Sequence, residues 1–264
     1  MIKLFRKIRY NLMETGKKGK PALPASGRKS AGRYFKYALG EIVLVVIGIL
    51  IALGINNWNE LRKHRIEEAR LLDKVAIDLI SDINQLEDHI LQAKNRQTKV
   101  DSIFTILYKD PNSDPLKFLK LNFEAISIEN HFEVNSSTFD ESQAAGSIKF
   151  IQNDSLRENI FNYYRITKRN YDDENTVQSI YRDIYPIMFK KILASKEFVL
   201  LYSKIESTLP GLNIKTLAKD QDYMSILLHK GISERVQIGI WTGFREKAEL
   251  IVKHIQTFQN IKNL

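Results

Sequence analysis

Residues 37–55 read YALGEIVLVVIGILIALGI, a run of 19 residues with a single charge, Glu41. No other feature restricts the fold as strongly. A hydrocarbon core of about 30 Å needs about 20 apolar helical residues to cross it. A helix on a water-soluble body keeps a polar face, and 42–55 has none. Tyr34, Phe35 and Tyr37 flank one end and Trp58 the other, where interfacial aromatics belong. The run predicts a transmembrane helix over 37–57.

Charge sets the expected topology. Residues 1–36 hold eleven Lys/Arg and one acid, Glu14, a net +10. Subtracting these from the chain totals of 40 basic and 31 acidic residues leaves 29 and 30, a net −1. The overall +9 therefore reflects a basic tail on a nearly neutral body, which removes the charge argument for nucleic acid. Beyond the run, Arg62, Lys63, Arg65 and Arg70 are offset by Glu60, Glu67 and Glu68. The positive-inside rule then places the N-terminus in the cytoplasm and residues 58–264 in the periplasm, anchored at a bacterial inner membrane. A cleaved signal peptide ending near Ala52-Leu53-Gly54 is the competing reading. The long basic region and an apolar run beyond ~15 residues favour an uncleaved anchor. Within the tail, Leu4, Phe5, Ile8 and Leu12 share one face of a short basic amphipathic helix over 2–12, suited to anionic lipid head groups. Residues 14–32 are rich in Gly, Lys, Pro and Ser and read as a linker.

The body reads as helical. Ala69, Leu72, Ala76, Leu79, Ile83, Leu86, Ile90, Ala93, Gln97, Val100, Phe104 and Leu107 alternate spacings of three and four, heptad spacing along one long helix over about 61–109. Asp110-Pro111 and Asp114-Pro115 stop it. An irregular segment, 110–152, contains a capping box at Thr138-x-x-Glu141 and a stop at Gly146, predicting a short helix over 139–145. A second capping box, Ser155-x-x-Glu158, opens a long helix over about 154–195, with a more polar seam and a kink at Pro186. The run Asp172-Asp173-Glu174 reads as a solvated face of it. Two further helices, 216–229 and 232–262, follow Pro210-Gly211. In the last, Ile240, Phe244, Ala248, Ile251, Ile255 and Phe258 form an apolar stripe. The expected fold class is all-α: one N-terminal transmembrane helix followed by a long-helix antiparallel bundle, coiled-coil-like in its spacing.

Three stretches carry a resemblance. GEIVLVVIGILIALGINNWNE (40–60), the opening MIKLFRKIRYNLM, and STFDESQAAGSIKFIQNDSLRENIFNYY (137–164) are similar to a family of single-span membrane proteins of Bacteroidota that is a domain of unknown function. Gln143-Ala144-Ala145 and Gly54 depart from its pattern. The resemblance implies a membrane protein with a helical exterior domain and no assigned activity.

Motifs for catalysis are missing. The five histidines, His64, His89, His131, His229 and His254, show no metal-ligand spacing, and His131-x-Glu133 supplies only two ligand types. GxxxxGK[ST], GxGxxG and GxSxG do not occur, and there is no cysteine. The expectation is a non-enzymatic module with no catalytic residue, metal or cofactor, acting through a homodimer or another protein. Glu41 is the exception to an otherwise uncharged span; with Gly48 and Ala52 at helical spacing it marks a candidate helix–helix interface in the membrane. Tyr163 and Tyr164, near the Gly146 turn, read as a packed corner with hydroxyls reaching water or as the candidate walls of a pocket in the bundle, and the second would make the exterior domain a small-molecule sensor instead.

Overall fold

The computed structural model describes the backbone of residues 31–126 and 130–262, and their side chains except at 31–34, 36–37, 171–185 and 262. The predicted amphipathic helix over 2–12, most of the linker and the Asp172-Asp173-Glu174 face lie outside the described residues. All described regular structure is helical. Its elements are α1 (Ala31–Lys109), α2 (Pro115–Ile126), α3 (Ser137–Ala144), a 3₁₀ turn (Ser147–Phe150), α4 (Asp154–Met188), a π-helical turn (Phe189–Leu193), α5 (Lys196–Ser203), α6 (Ile214–Leu217) and α7 (Gln221–Lys262). Two compact units divide the chain, Met1–Leu61 and Arg62–Leu264.

In the first unit, α1 contains an 18-residue window of mean hydropathy 2.7 of which nothing is buried. Ile42, Ile47, Leu50 and Ile55 are all exposed. This is the one helix among the described residues long and apolar enough to cross a membrane.

The second unit is built on the predicted seam of α1. Leu72, Leu79, Leu86, Ile90, Ala93, Val100 and Leu107 are buried, Ala76, Ile83, Gln97 and Phe104 half-buried, and only Ala69 is exposed. One apolar cluster joins the first half of this seam to Leu156, Ile160, Tyr163 and Tyr164 of α4 and to Trp241, Phe244, Ala248, Ile251 and Ile255 of α7. A second joins Val100, Ile103 and Leu107 to α2, to Ile192 and Leu193 of the π turn, and to Tyr223 and Leu227 of α7.

These pairings set the helix directions and correct the antiparallel expectation. Glu68 meets Gln152, just before α4, and Asp82 meets Tyr163 inside it. Both helices advance together, so α1 and α4 run parallel. Asp73 meets Gln259, Arg96 meets Glu234 and Asp101 meets Arg235, so α7 runs antiparallel to α1. A parallel neighbour requires a crossover that returns along the first helix. Residues 110–152 make that return; they are more helical than their sequence pattern suggested, holding α2, α3 and the 3₁₀ turn.

Helix ends differ in detail from the sequence reading. The stop after Lys109 holds, yet Pro115 opens α2: Asp114 Oδ1 accepts the Leu116 N–H at 3.0 Å, and proline is suited to a first turn whose N–H has no partner. α4 is capped by Asn153, whose Oδ1 accepts the Leu156 N–H at 2.9 Å, rather than by Ser155. Gly146 ends α3 as expected, at φ +68°. α4 stops at Met188, short of 195. Beyond Pro186 the winding widens to π, and Ala194 N–H donates to the Phe189 carbonyl at 2.8 Å.

The two C-terminal helices predicted over 216–262 are mostly one. Asp220 Oδ1 accepts the Tyr223 N–H at 2.9 Å and starts α7, which continues unbroken through Gly231. That glycine is buried against α1: a Cβ there would lie 3.3 Å from Val100 Cγ1. Close packing thus outweighs the ~1 kcal/mol helix penalty of glycine. Gly231→Leu is expected to cost about 1–3 kcal/mol through overpacking, with part recovered when Val100→Ala is added. Urea unfolding of the two variants measures this; no loss for Gly231→Leu removes the close-approach argument.

Candidate functional site

The densest buried chemistry lies where α1 holds the returning segment. Residues 130–136 form no helix, so their backbone groups need partners from elsewhere. α1 supplies them from a stripe beside its apolar seam. Asp82 Oδ1 accepts the Asn135 N–H at 2.9 Å. Asp78 accepts from Asn135 Nδ2 at 3.2 Å and from the Thr138 N–H at 3.3 Å. His89 Nε2–H donates to the His131 carbonyl at 2.9 Å. Further along, Arg96 reaches Asn130 Oδ1, and Asn130 Nδ2 donates to Gln92 Oε1 at 2.9 Å. At the near end Glu68 Oε1 accepts the Gln152 N–H at 2.7 Å. Asp78, Asp82, His89 and Arg96 are spaced four, seven and seven apart, which keeps them in register along one side of a helix.

Asp78 and Asp82 also set where α3 begins. Thr138 is not the cap predicted from its capping box; the cap position is Ser136, whose hydroxyl donates to Asp140 Oδ2 at 2.7 Å. The free N–H of Thr138 points to Asp78 instead. A carboxylate at a helix N-terminus is favoured by the exposed N–H groups and the helix dipole. α3 then stacks Phe139 on Tyr164, centroids 4.4 Å apart, and Tyr164 packs edge-on to Tyr163 at 5.3 Å. Lys168 of α4 bridges to Asp140 at 2.6 Å; that pair is exposed and contributes at most ~1 kcal/mol.

Electrostatically, Asp82 is the unusual group. It is 1% exposed, and its pKa is pushed up to about 6. Burial is the main cause, and the nearby Asp78 charge adds to it. The Asn135 N–H and the Tyr163 hydroxyl, which donates to Oδ2 at 2.8 Å, act against the rise. Burial, and then the Asp82 charge, hold the Tyr163 and Tyr164 hydroxyls well above the ordinary phenol range, so neither ionises at neutral pH. A carboxyl whose folded pKa lies above its unfolded value stabilises the fold below that unfolded value. The contribution is lost as pH rises through about 6.

Asp82→Asn tests this. Its amide oxygen can accept the Asn135 N–H while its NH₂ donates to Tyr163 Oη, and no buried charge remains. The variant is expected to gain about 1–3 kcal/mol at pH 8 and to lose the fall in stability between pH 4 and 7. Urea unfolding at a series of pH values decides it: identical pH slopes for both proteins contradict the assignment.

The predicted site residues divide between the two units. Tyr163 and Tyr164 are brought together, but as core rather than as two walls of a shared pocket, being 1% and 0% exposed. Their rings fill the corner between α1, α3 and α4, which leaves no room for a ligand between them. Tyr163 alone of the pair reaches a groove, about 620 Å³, between α4 and α7. Glu41, Gly48 and Ala52 are exposed on the apolar part of α1, with open space around Gly48. Asp78, Asp82 and Asn135 were not singled out by sequence reasoning. The available signal was a pair of acids four apart inside an apolar stretch, VAIDLISDINQL, where a solvated face is not expected. Among the described residues no group of three His, Asp or Glu is arranged to hold a metal ion.

The sequence profile of a family of unknown function, DUF6090, matches residues 41–226. The chain belongs to this family. No curated protein and no solved structure matches it. The DUF6090 match begins at Glu41 within the apolar run and takes in Asp78, Asp82, Asn135, Tyr163 and Tyr164. The clamp between α1 and the returning segment is therefore contained within the family region, whereas most of α7 lies beyond its end.

Proposed function

We propose that this DUF6090 protein is a single-span, membrane-tethered helical module that binds a protein partner and turns over no substrate. The observation that carries this reading is that one helix, α1, holds both an unburied apolar run and the seam on which the body is built. The run calls for lipid, and the basic 1–36 segment orients it, with the N-terminus cytoplasmic beside anionic head groups and the body in the periplasm. The buried and half-buried polar groups of α1 support a structural rather than catalytic use. Glu68, Asp78, Asp82, His89 and Arg96 each hold backbone or a neighbouring side chain in place. Glu41, Gly48 and Ala52 form the face on which a second span, from another copy or another protein, packs closely.

In-cell crosslinking of the intact protein, followed by solubilisation, affinity purification and mass spectrometry, tests this reading. A discrete crosslinked species, either a homodimer or one recurring second protein, is expected, and it should weaken when Gly48 and Ala52 are replaced by leucine. A protein recovered only as an uncrosslinked monomer under conditions that trap known membrane complexes overturns it.

A further inference from the structure

We infer that the groove between the first half of α4 and the second half of α7 is a binding site for a small amphiphilic anion, with an acidic phosphate or carboxylate head and a short hydrocarbon body. This goes beyond the tethering role and does not depend on it. The groove is open to solvent along one side and offers about 620 Å³, within the volume range of small-molecule sites. Arg165 enters it from α4, and Lys247 and His254 from α7; no acidic side chain lines it among the described residues.

Among the described residues, Arg165 and Lys247 have no counter-ion. The Arg165 guanidinium donates only to the neutral Asn162 Oδ1, at 2.8 Å. Among the described residues Lys247 has no ion pair, whereas Arg157 pairs with Asp154, Lys168 with Asp140 and Arg245 with Glu249 on the same two helices. Two exposed positive charges facing one concavity produce a positive potential that an anion relieves, while His254 Nε2 is taken by Asn153 Nδ2 at 3.4 Å. Arginine's planar fork suits the two oxygens of a carboxylate or phosphate. Asn162 lines the same groove and offers its amide as a further donor. The other half of the groove is apolar, formed by the half-buried Ile166 and by Leu250, which is 66% exposed. An inorganic ion would leave that half in water. A head group joined to a short hydrocarbon body covers both halves.

Hexyl phosphate is a suitable probe, added to the full chain in nanodiscs of phosphatidylcholine and read by thermal unfolding and calorimetry. Saturable binding is expected, raising Tm by about 5 °C near 100 times Kd, with inorganic phosphate giving less and hexanol or hexylamine giving none. Arg165→Glu with Lys247→Glu should weaken binding at least tenfold, and Arg165→Gln with Lys247→Gln should fall between, confirming that charge rather than folding is responsible. Hexanol or hexylamine matching hexyl phosphate overturns the inference, as does undiminished binding in the charge-reversed variant. Phosphatidylglycerol in the discs separates the two sources of such a head group. If a lipid fills the groove, it raises the Tm of the parent protein but not of the charge-reversed variant, and blunts the response to hexyl phosphate. If the ligand is soluble, that response is unchanged.

Discussion

Replacing Ile47 and Leu50 together by lysine is expected to release the protein from the membrane fraction. Both side chains are exposed, at 45% and 61%, and lie near the middle of the apolar window of α1. A lysine at the centre of a span costs about 2.5–3.5 kcal/mol on the insertion scale, so the pair costs on the order of 5–7 kcal/mol. Three residues apart, they share one helix face and are too central for both ammonium groups to reach the same interface easily. Carbonate extraction of membranes from cells making each variant is the measurement. The parent and an Ile47→Leu, Leu50→Ile variant should stay in the pellet, and the lysine pair should move to the supernatant or be degraded. Ala38→Lys, at the edge of the window, should remain membrane-bound because its head group can snorkel. A lysine pair that resists carbonate as well as the parent does would end the membrane reading.

Glu234→Ala carries the second large effect, expected at about 3–5 kcal/mol of lost stability. Glu234 is 5% exposed, and its two oxygens take both Arg96 Nε at 2.7 Å and Arg96 Nη2 at 3.1 Å, while Lys230 Nζ lies 3.0 Å from Oε1. Arg96 and Lys230 are 5% and 2% exposed, so both cations meet this carboxylate in a poorly hydrated place. Removing it leaves the Arg96 guanidinium without its bidentate carboxylate there, and at ~2–4 °C per kcal/mol Tm should fall by about 10 °C. The cluster also joins three parts of the body, because Arg96 lies on α1, Glu234 on α7 and Asn130 in the returning segment. Replacing the bidentate pair by apolar residues, as Arg96→Met with Glu234→Leu, should recover most of the loss, since the buried guanidinium is then gone as well. Thermal unfolding of both variants decides it: a cost below about 1 kcal/mol for Glu234→Ala would show that water reaches the cluster.

The parts of the protein that were legible in advance are those decided by local pattern. The apolar run needs no partner to be recognised, because its length and lack of polar residues are properties of the segment itself. The seam of α1 follows from spacing, and eleven of its twelve positions are at least partly buried. The end of α1 at Lys109 and the left-handed Gly146 follow from proline and glycine chemistry. The caps were less legible. Thr138 and Ser155 match a capping box in sequence, yet Ser136 and Asn153 hold the cap positions: the Thr138 N–H is claimed by an acid 60 residues away, and the Asn153 side chain takes the Leu156 N–H.

By itself, then, the sequence determined an all-helical chain with one stretch fit for lipid, a basic segment before it, and a body organised on a heptad seam. These follow from segment composition and from the 3.6-residue period, which act within one helix. Only the tertiary structure decided that α1 and α4 run parallel, that the connection between them is strapped to α1 by Asp78, Asp82, His89 and Arg96, and that Gly231 lies inside a helix instead of ending one. Each depends on groups distant in sequence meeting at hydrogen-bond or van der Waals distance, as Asp82 does with Asn135 and Tyr163, and Gly231 with Val100. Hydrophobic periodicity states which face of a helix is buried but not what covers it, and it assigns no partner to a buried carboxylate.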